Sequence, residues 1–192
     1  MTTVTGSEYI AAFLARMGCT QVYTLTGGAC AFMVDAVARH DALELVCFQN
    51  EQAAAMAADA VWRVSRRVGV TMATSGPGAT NLITGIACSD FDSIPTLHIT
   101  GQVNQREAQA LHGAAVRQTG FQETKIVEMV RPITKYAAKV TSVEELREVL
   151  GWPRNCRRAD GAGSGRCADG CATGSAVLRH CRYSPVTGVS RG

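Results

Sequence analysis

Four short apolar runs, at residues 22–25, 43–48, 68–74 and 96–100, are separated by segments whose apolar residues recur at helical spacing. This alternation constrains the fold more than any other feature of the chain. Strands that pair in parallel need a crossover between them, and crossover helices cover the sheet on both sides. The expected fold class is therefore α/β: a doubly wound, mostly parallel sheet with helices on both faces, spanning residues 1–150. Each of the first three strands runs straight into a helix through a glycine-rich or polar turn. The turns are Thr26-Gly27-Gly28, Gln49-Asn50-Glu51 and Ser75-Gly76-Pro77-Gly78. Ligands of such folds sit at the carboxyl ends of the strands, so these three turns mark the candidate site.

Local signals support the pattern. Thr5 and Glu8 have capping-box spacing, and Gly18 makes a natural C-terminal stop for the helix between them. Phe32-Met33, Ala36 and Val37 belong to a helix after Gly27-Gly28, and residues 51–65 form the second crossover helix. A helix is expected to start after Gly76-Pro77 and run through Asn81, Leu82 and Ile86. The strand at 96–100 gives way to a polar loop with Gln102 and Asn104, and Gln102 reads as structural. Helical segments are expected near 108–116 and 124–130, and extended chain at 133–137. Ser142-Val143-Glu144-Glu145 repeats the capping pattern and opens a helix to Leu150.

Glu51 is the carboxylate on which a chemical reading centres. It stands where an apolar strand, Leu45-Val46-Cys47-Phe48, turns into a very Ala-rich helix that must pack closely against a neighbour. A carboxyl group there is expected to lose part of its water and to be able to share a proton with a bound group. On this segment alone a second reading stands equally: an acidic residue in a first helical turn, favoured by the helix dipole. The glycine turns lack the Gly-x-Gly-x-x-Gly of a dinucleotide fold and the Gly-Lys-Ser/Thr of a phosphate loop. They do not hold a diphosphate by the usual means, and either could simply be a tight turn that needs glycine.

Composition divides the chain at residue 150. Residues 1–150 carry 12 Lys or Arg against 14 Asp or Glu, a net of −2, whereas residues 151–192 carry seven Arg against Asp160 and Asp169, a net of +5. The overall +3 belongs to the tail, so the body has no basic footprint for nucleic acid. No run is long and apolar enough for a membrane span, and the N-terminus lacks a secretion signal. Cys19, Cys30, Cys47 and Cys88 lie among apolar neighbours, as free core thiols of a cytoplasmic protein would. Cys167 and Cys171 are four apart in the tail, but no second pair with ligand spacing accompanies them, and no metal site is expected. Residues 151–192 hold eight Gly, seven Arg and four Cys with almost no apolar periodicity. They read as an irregular or disordered extension, or as a GC-rich gene translated out of frame.

The ordered motifs have a family resemblance. Thr26-Gly27-Gly28 is followed by Glu51-Gln52-Ala53-Ala54-Ala55-Met56-Ala57-Ala58-Asp59-Ala60, and then by the block from Ala73 through Ser75-Gly76-Pro77-Gly78 and Asn81 to Ala87. Asp92-Ser93-Ile94-Pro95, Ile99-Thr100-Gly101-Gln102-Val103 and Gly120-Phe121-Gln122-Glu123 complete the series. Residues 4–150 resemble the N-terminal, pyrimidine-binding domain of thiamine-diphosphate-dependent enzymes, with the acetolactate synthase large subunit and its relatives as the nearest branch. The resemblance implies that Glu51 is catalytic. It would hydrogen-bond N1′ of the cofactor's aminopyrimidine and favour the imino tautomer that takes the proton from thiazolium C2. It further implies cofactor-binding roles for Gly27, Gly28, Ser75, Gly76, Pro77 and Asn81, and a place near the substrate channel for Phe121 and Gln122. For Gln122 a plain helix-start role is equally open. The substrate implied is a 2-keto acid such as pyruvate, decarboxylated and joined to a second molecule to give 2-acetolactate.

Two departures qualify the carry-over. Asn50 stands where family members often have His, and Asn can hydrogen-bond but not titrate. The central and diphosphate-binding domains of the family, the latter with its Mg2+ ligands, do not follow residue 150. The chain is therefore expected to act as an N-terminal fragment, inactive alone and with weak or absent cofactor binding, Mg2+ coming only through another domain or chain. A homodimer or a paralogue would complete the site. The alternative is a non-catalytic interaction module, or one subunit of a split enzyme.

Overall fold

A computed structural model describes residues 4–104, 120–151 and 173–180, the last segment as backbone only. In chain order the elements are α1 (Gly6–Arg16), β1 (Gln21–Leu25), a 3-10 turn (Gly28–Cys30), α2 (Ala31–Ala38), β2 (Glu44–Cys47), α3 (Glu51–Ser65) and β3 (Gly69–Ala73). There follow α4 (Pro77–Asn81), α5 (Ile83–Phe91), β4 (Thr96–Asn104), α6 (Ile126–Val130) with a 3-10 turn (Arg131–Ile133), β5 (Tyr136–Val140), α7 (Val143–Gly151) and β6 (Thr173–His180).

The capping box at α1 is complete. Thr5 Oγ1 accepts from the Glu8 backbone N–H at 3.2 Å, and Glu8 Oε2 accepts from the Thr5 N–H at 2.7 Å. Gly18, at φ +82°, ends the segment in the left-handed region that glycine adopts freely.

The sheet order is β2-β1-β3-β4-β6-β5. The first four strands are parallel, with β1 central to β2 and β3. Side chains alternate across the sheet, as strand geometry requires. Val70, Met72, Leu97 and Ile99 join one core with Ile10 and Leu14 of α1, Val37 of α2, and Leu146 and Leu150 of α7. Ala73 joins the opposite core with Ala55, Ala79, Leu82, Ile86, Ile126 and Val130 of α3 to α6. Both faces are thus covered by helices, which is the expected doubly wound α/β class. Burial of each large aliphatic side chain contributes about 1.5–3 kcal/mol, so two cores of this kind hold the sheet from both sides. The second face also carries fully buried His98. Its Nδ1 lies 2.7 Å from Thr71 Oγ1 and its Nε2 3.0 Å from Thr96 Oγ1, so both ring nitrogens are hydrogen-bonded inside the protein.

Three details differ from the sequence pattern. β4 does not stop at Thr100 but continues through Gln102 to Asn104. The helix after Gly76 is two helices, with a turn at Leu82 whose N–H donates to Ala79 O, three residues back. The stretch expected to be irregular supplies β6, which pairs antiparallel with both β4 and β5. The slot between two parallel neighbours is bordered by unpaired backbone groups, and any strand that enters it gains a hydrogen-bond ladder on each side. The helix expected near 108–116 lies outside the described residues, as do the four tail cysteines.

Candidate functional site

The three turns at the carboxyl ends of β1, β2 and β3 converge around the N-terminus of α3. Asn50 is the N-cap, in extended conformation, and its Oδ1 accepts from the Gln52 N–H at 2.8 Å. That cap fixes where α3 begins and makes Glu51 its first residue. Glu51 is only 5% exposed. Its Oε2 accepts a hydrogen bond from Asn81 Nδ2, at the end of α4, at 2.9 Å. Its Oε1 lies above Gly78, where an added Cβ would stand 3.0 Å from that oxygen and 2.7 Å from Thr74 Cγ2. Gly78 therefore keeps open the space that the carboxylate occupies.

The other turns are tied to the same centre. Gly27 is extended, and a Cβ there would meet Thr74 Cβ at 2.6 Å, so the turn after β1 lies directly on Thr74. The Ala29 N–H donates to Thr74 Oγ1 at 3.3 Å. Cys30 Sγ donates to Gly27 O at 3.3 Å. Burial pushes the Cys30 thiol up, and the Glu51 carboxylate adds a smaller push in the same direction. Gly28 differs: it is exposed, and a Cβ there would meet nothing within 4 Å. Ser75 is buried, and Pro77 is exposed in the first turn of α4. Gly76 has φ +61° and ψ −125°, a region essentially restricted to glycine, and a Cβ there would lie 2.6 Å from Gln122 Cβ. Gln122 is itself left-handed at φ +55° and exposed, so it is a turn residue rather than a helix start. Gln102 holds this turn to β4 by donating from Nε2 to Thr124 O at 3.1 Å.

Of the residues singled out in the sequence, Glu51 and Asn81 are in direct contact. Gly27 reaches them through Thr74, and Ser75-Gly76 borders them and carries Gln122. Gly28 and Pro77 line the exposed rim, and Phe121 is 80% exposed beside Gln122. One residue, Thr74, was missed, and Gly78 was marked only as part of a turn. Thr74 touches Gly27, Ala29 and Gly78 at once, and Gly78 clears the carboxylate. The available signal was Gly78 itself, a helix-weakening residue in the second helical position, which fits a close approach as well as a tight turn.

Comparison with known proteins decides the family. The family model described as "Thiamine pyrophosphate enzyme, N-terminal TPP binding domain" matches residues 4–129. The chain belongs to this family. Within the thiamine pyrophosphate enzymes it is similar to acetolactate synthases. It is 39% identical over 145 residues to acetolactate synthase 1, chloroplastic, of Oryza sativa subsp. japonica, covering 76% of this chain and 21% of the relative. It is 40% identical over 145 residues to acetolactate synthase 2, chloroplastic, of Zea mays, covering 76% and 22%. It is 38% identical over 150 residues to the acetolactate synthase isozyme 3 large subunit of Escherichia coli (strain K12), covering 78% and 25%. The chain spans about a fifth to a quarter of the length of these curated relatives. Among the described residues, no helix is long and apolar enough to cross a membrane.

Proposed function

We propose that this chain supplies the aminopyrimidine-binding, proton-relay half of an acetolactate-synthase-like enzyme, with Glu51 as the catalytic carboxylate. The observation that carries the reading is Glu51 itself: nearly out of water, first in its helix, and held at 2.9 Å by one neutral donor, Asn81. The residues fit the pyrimidine end of thiamine diphosphate. A carboxyl group is the natural partner of a basic ring nitrogen such as N1′, and Gly27, Gly28, Ser75, Gly76 and Pro77 border it with little side-chain bulk. Residues 26–30, 48–52 and 74–81 contain no Lys or Arg. The diphosphate and its Mg2+ would be held by another domain or chain, and the pairing that completes the site would be a homodimer or a paralogue.

When bound, the cofactor supplies an acidic thiazolium carbon and an electron sink for decarboxylation of a 2-keto acid such as pyruvate. Glu51 holds or shares the proton at the ring nitrogen. Asn81 fixes the orientation of the carboxylate by donating to Oε2. Asn50, where a titratable His would offer a second proton carrier, acts only as helix cap. Gln122 and Phe121 border the approach for substrate. The free thiols Cys19, Cys30, Cys47 and Cys88 suit a reducing compartment such as the cytoplasm.

The test is reconstitution. The purified chain alone should form no acetolactate from pyruvate. Mixed with a polypeptide carrying the diphosphate-binding domain, it should restore acetolactate formation, and Glu51→Gln should reduce that activity by about 10²-fold or more, the usual contribution of a positioned acid–base group. A Glu51→Gln mixture as active as the parent would refute the relay. Turnover by the chain alone would refute the half-site.

A further inference from the structure

α3 lies beside α4 and α5 in a fixed register. Glu51 meets Asn81, Ala55 meets Gly85, and Asp59 meets Ser89, each pair offset by 30 residues, and Arg63 then reaches Asp92. Each step is one helical turn. The Ala55–Gly85 step brings the helices very close, since a Cβ on Gly85 would lie 2.4 Å from Ala55 Cβ. Two small residues form a close contact, however, that contains no directional bond. The Asp59 step is different. Asp59 is 6% exposed and Ser89 fully buried, and Ser89 Oγ donates to Asp59 Oδ2 at 2.9 Å. Arg63 donates from Nε to Asp59 Oδ1 and from Nη2 to Asp92 Oδ2, so it spans α3 and the end of α5. Hydrogen bonds are directional, and a buried carboxylate left unpaired is costly. This cluster therefore allows one register.

We propose that Asp59 and Ser89 form a register pin that sets where Glu51 meets Asn81, which makes both of them positioning residues for the proton relay. The role rests on the reading of Glu51 given above. Asp59 is eight residues from Glu51, about 12 Å along a rigid helix. A slip of one residue moves Glu51 by about 1.5 Å along the axis and turns it by about 100°, which would separate it from Asn81. The apolar contacts between the two ends oppose such a slip by shape alone, whereas the pin opposes it with directional bonds.

The experiment follows the side-chain amide of Asn81 by NMR in the 15N-labelled full chain, with no cofactor present. Glu51→Ala supplies the reference position for an Asn81 amide that has lost its hydrogen-bond acceptor. Ser89→Ala removes the α5 half of the pin and leaves the Asp59–Arg63 pair within α3 intact. It should move the Asn81 signals at least halfway to the reference and speed their exchange with water several-fold. Asp59→Asn should move them at least as far. If Asp59→Asn does not fold, Ser89→Ala decides alone, because it removes a single hydroxyl. A Ser89→Ala chain that melts earlier with its Asn81 signals unmoved would overturn the proposal, leaving the cluster as ordinary stabilisation. In the reconstituted mixture, Ser89→Ala should lower kcat and leave the pyruvate KM unchanged. The two failures are distinguishable: the relay fails if Glu51→Gln remains active, and the pin fails if Asn81 does not respond while Glu51→Gln is dead.

Discussion

Gly85→Ala is the smallest change that should separate α3 from α5, and its effect can be worked from the structure. The new methyl group would stand 2.4 Å from Ala55 Cβ and 3.2 Å from the Ala55 carbonyl carbon. Carbon atoms settle at about 3.5–4.0 Å, so the helices must part by roughly 1 Å. α3 cannot yield toward the sheet, because at Gly69 even a Cβ would lie 1.9 Å from Ala58 O. α5 cannot yield inward either, since Ile86 is already fully buried against Leu82 and Ile126. Overpacking costs about 1–3 kcal/mol and alanine in place of glycine within a helix returns up to about 1 kcal/mol, so the middle of these ranges is a net loss of about 1 kcal/mol. With a urea dependence of about 1–3 kcal/mol/M for a small domain, the midpoint should fall by roughly 0.3–1 M. The same displacement would stretch the 2.9 Å Asn81–Glu51 bond to roughly 4 Å, beyond hydrogen-bonding reach. Urea unfolding followed by circular dichroism measures the first effect, and the Asn81 side-chain amide signal the second. A midpoint equal to or above that of the parent, with the Asn81 signal in place, would show that the interface has slack and refute the close-packing argument.

The helix caps should respond to acid. Glu8 is held below its ordinary 4.5 mainly by the Thr5 backbone N–H and then by the Thr5 hydroxyl, and Glu145 likewise by Thr141. A depressed carboxylate stabilises the fold above its unfolded value and loses that contribution as pH falls through the folded value. The first turns of α1 and α7 should therefore fray below about 4.5, seen as lost exchange protection at the Thr5 and Thr141 amides; protection that stays flat through the acid range would contradict this. The thiols should differ too. Burial raises Cys19 to about 11, against the opposing hydrogen bond to Gln21 O, while Cys47 is exposed. Because reagent must reach the sulfur and the thiolate is the reactive form, iodoacetamide should modify exposed Cys47 well before buried Cys19, which reacts only once the chain unfolds or the pH nears 11. Equal rates at the two positions in folded protein, read by peptide mass mapping, would disprove that.

What could be read from the sequence depended on how local the cause was. The capping box at Thr5 and the strand-to-helix turn at Glu51 are written within four or five consecutive residues, and both are present as expected. The extension of β4 through Gln102 was not readable, because Thr100-Gly101-Gln102 is polar in isolation and is held as strand by pairing across to β6 at Thr100 and Gly101. For Gln122 a helix start is one of two open readings in the sequence, yet its left-handed turn fits against Gly76, almost fifty residues earlier. The site shows the same division. The run of alanines in α3 and the glycines at 78 and 85 announce that helices approach closely, since bulk is what keeps helices apart. They do not announce where along their length the helices meet, because small side chains fit equally well one turn up or down. That information lies in Asp59, Arg63, Ser89 and Asp92, whose polar chemistry resembles a solvated surface until the fold puts them at the same height. Close approach comes from the small residues and alignment from the polar ones, and Glu51 needs both to face Asn81.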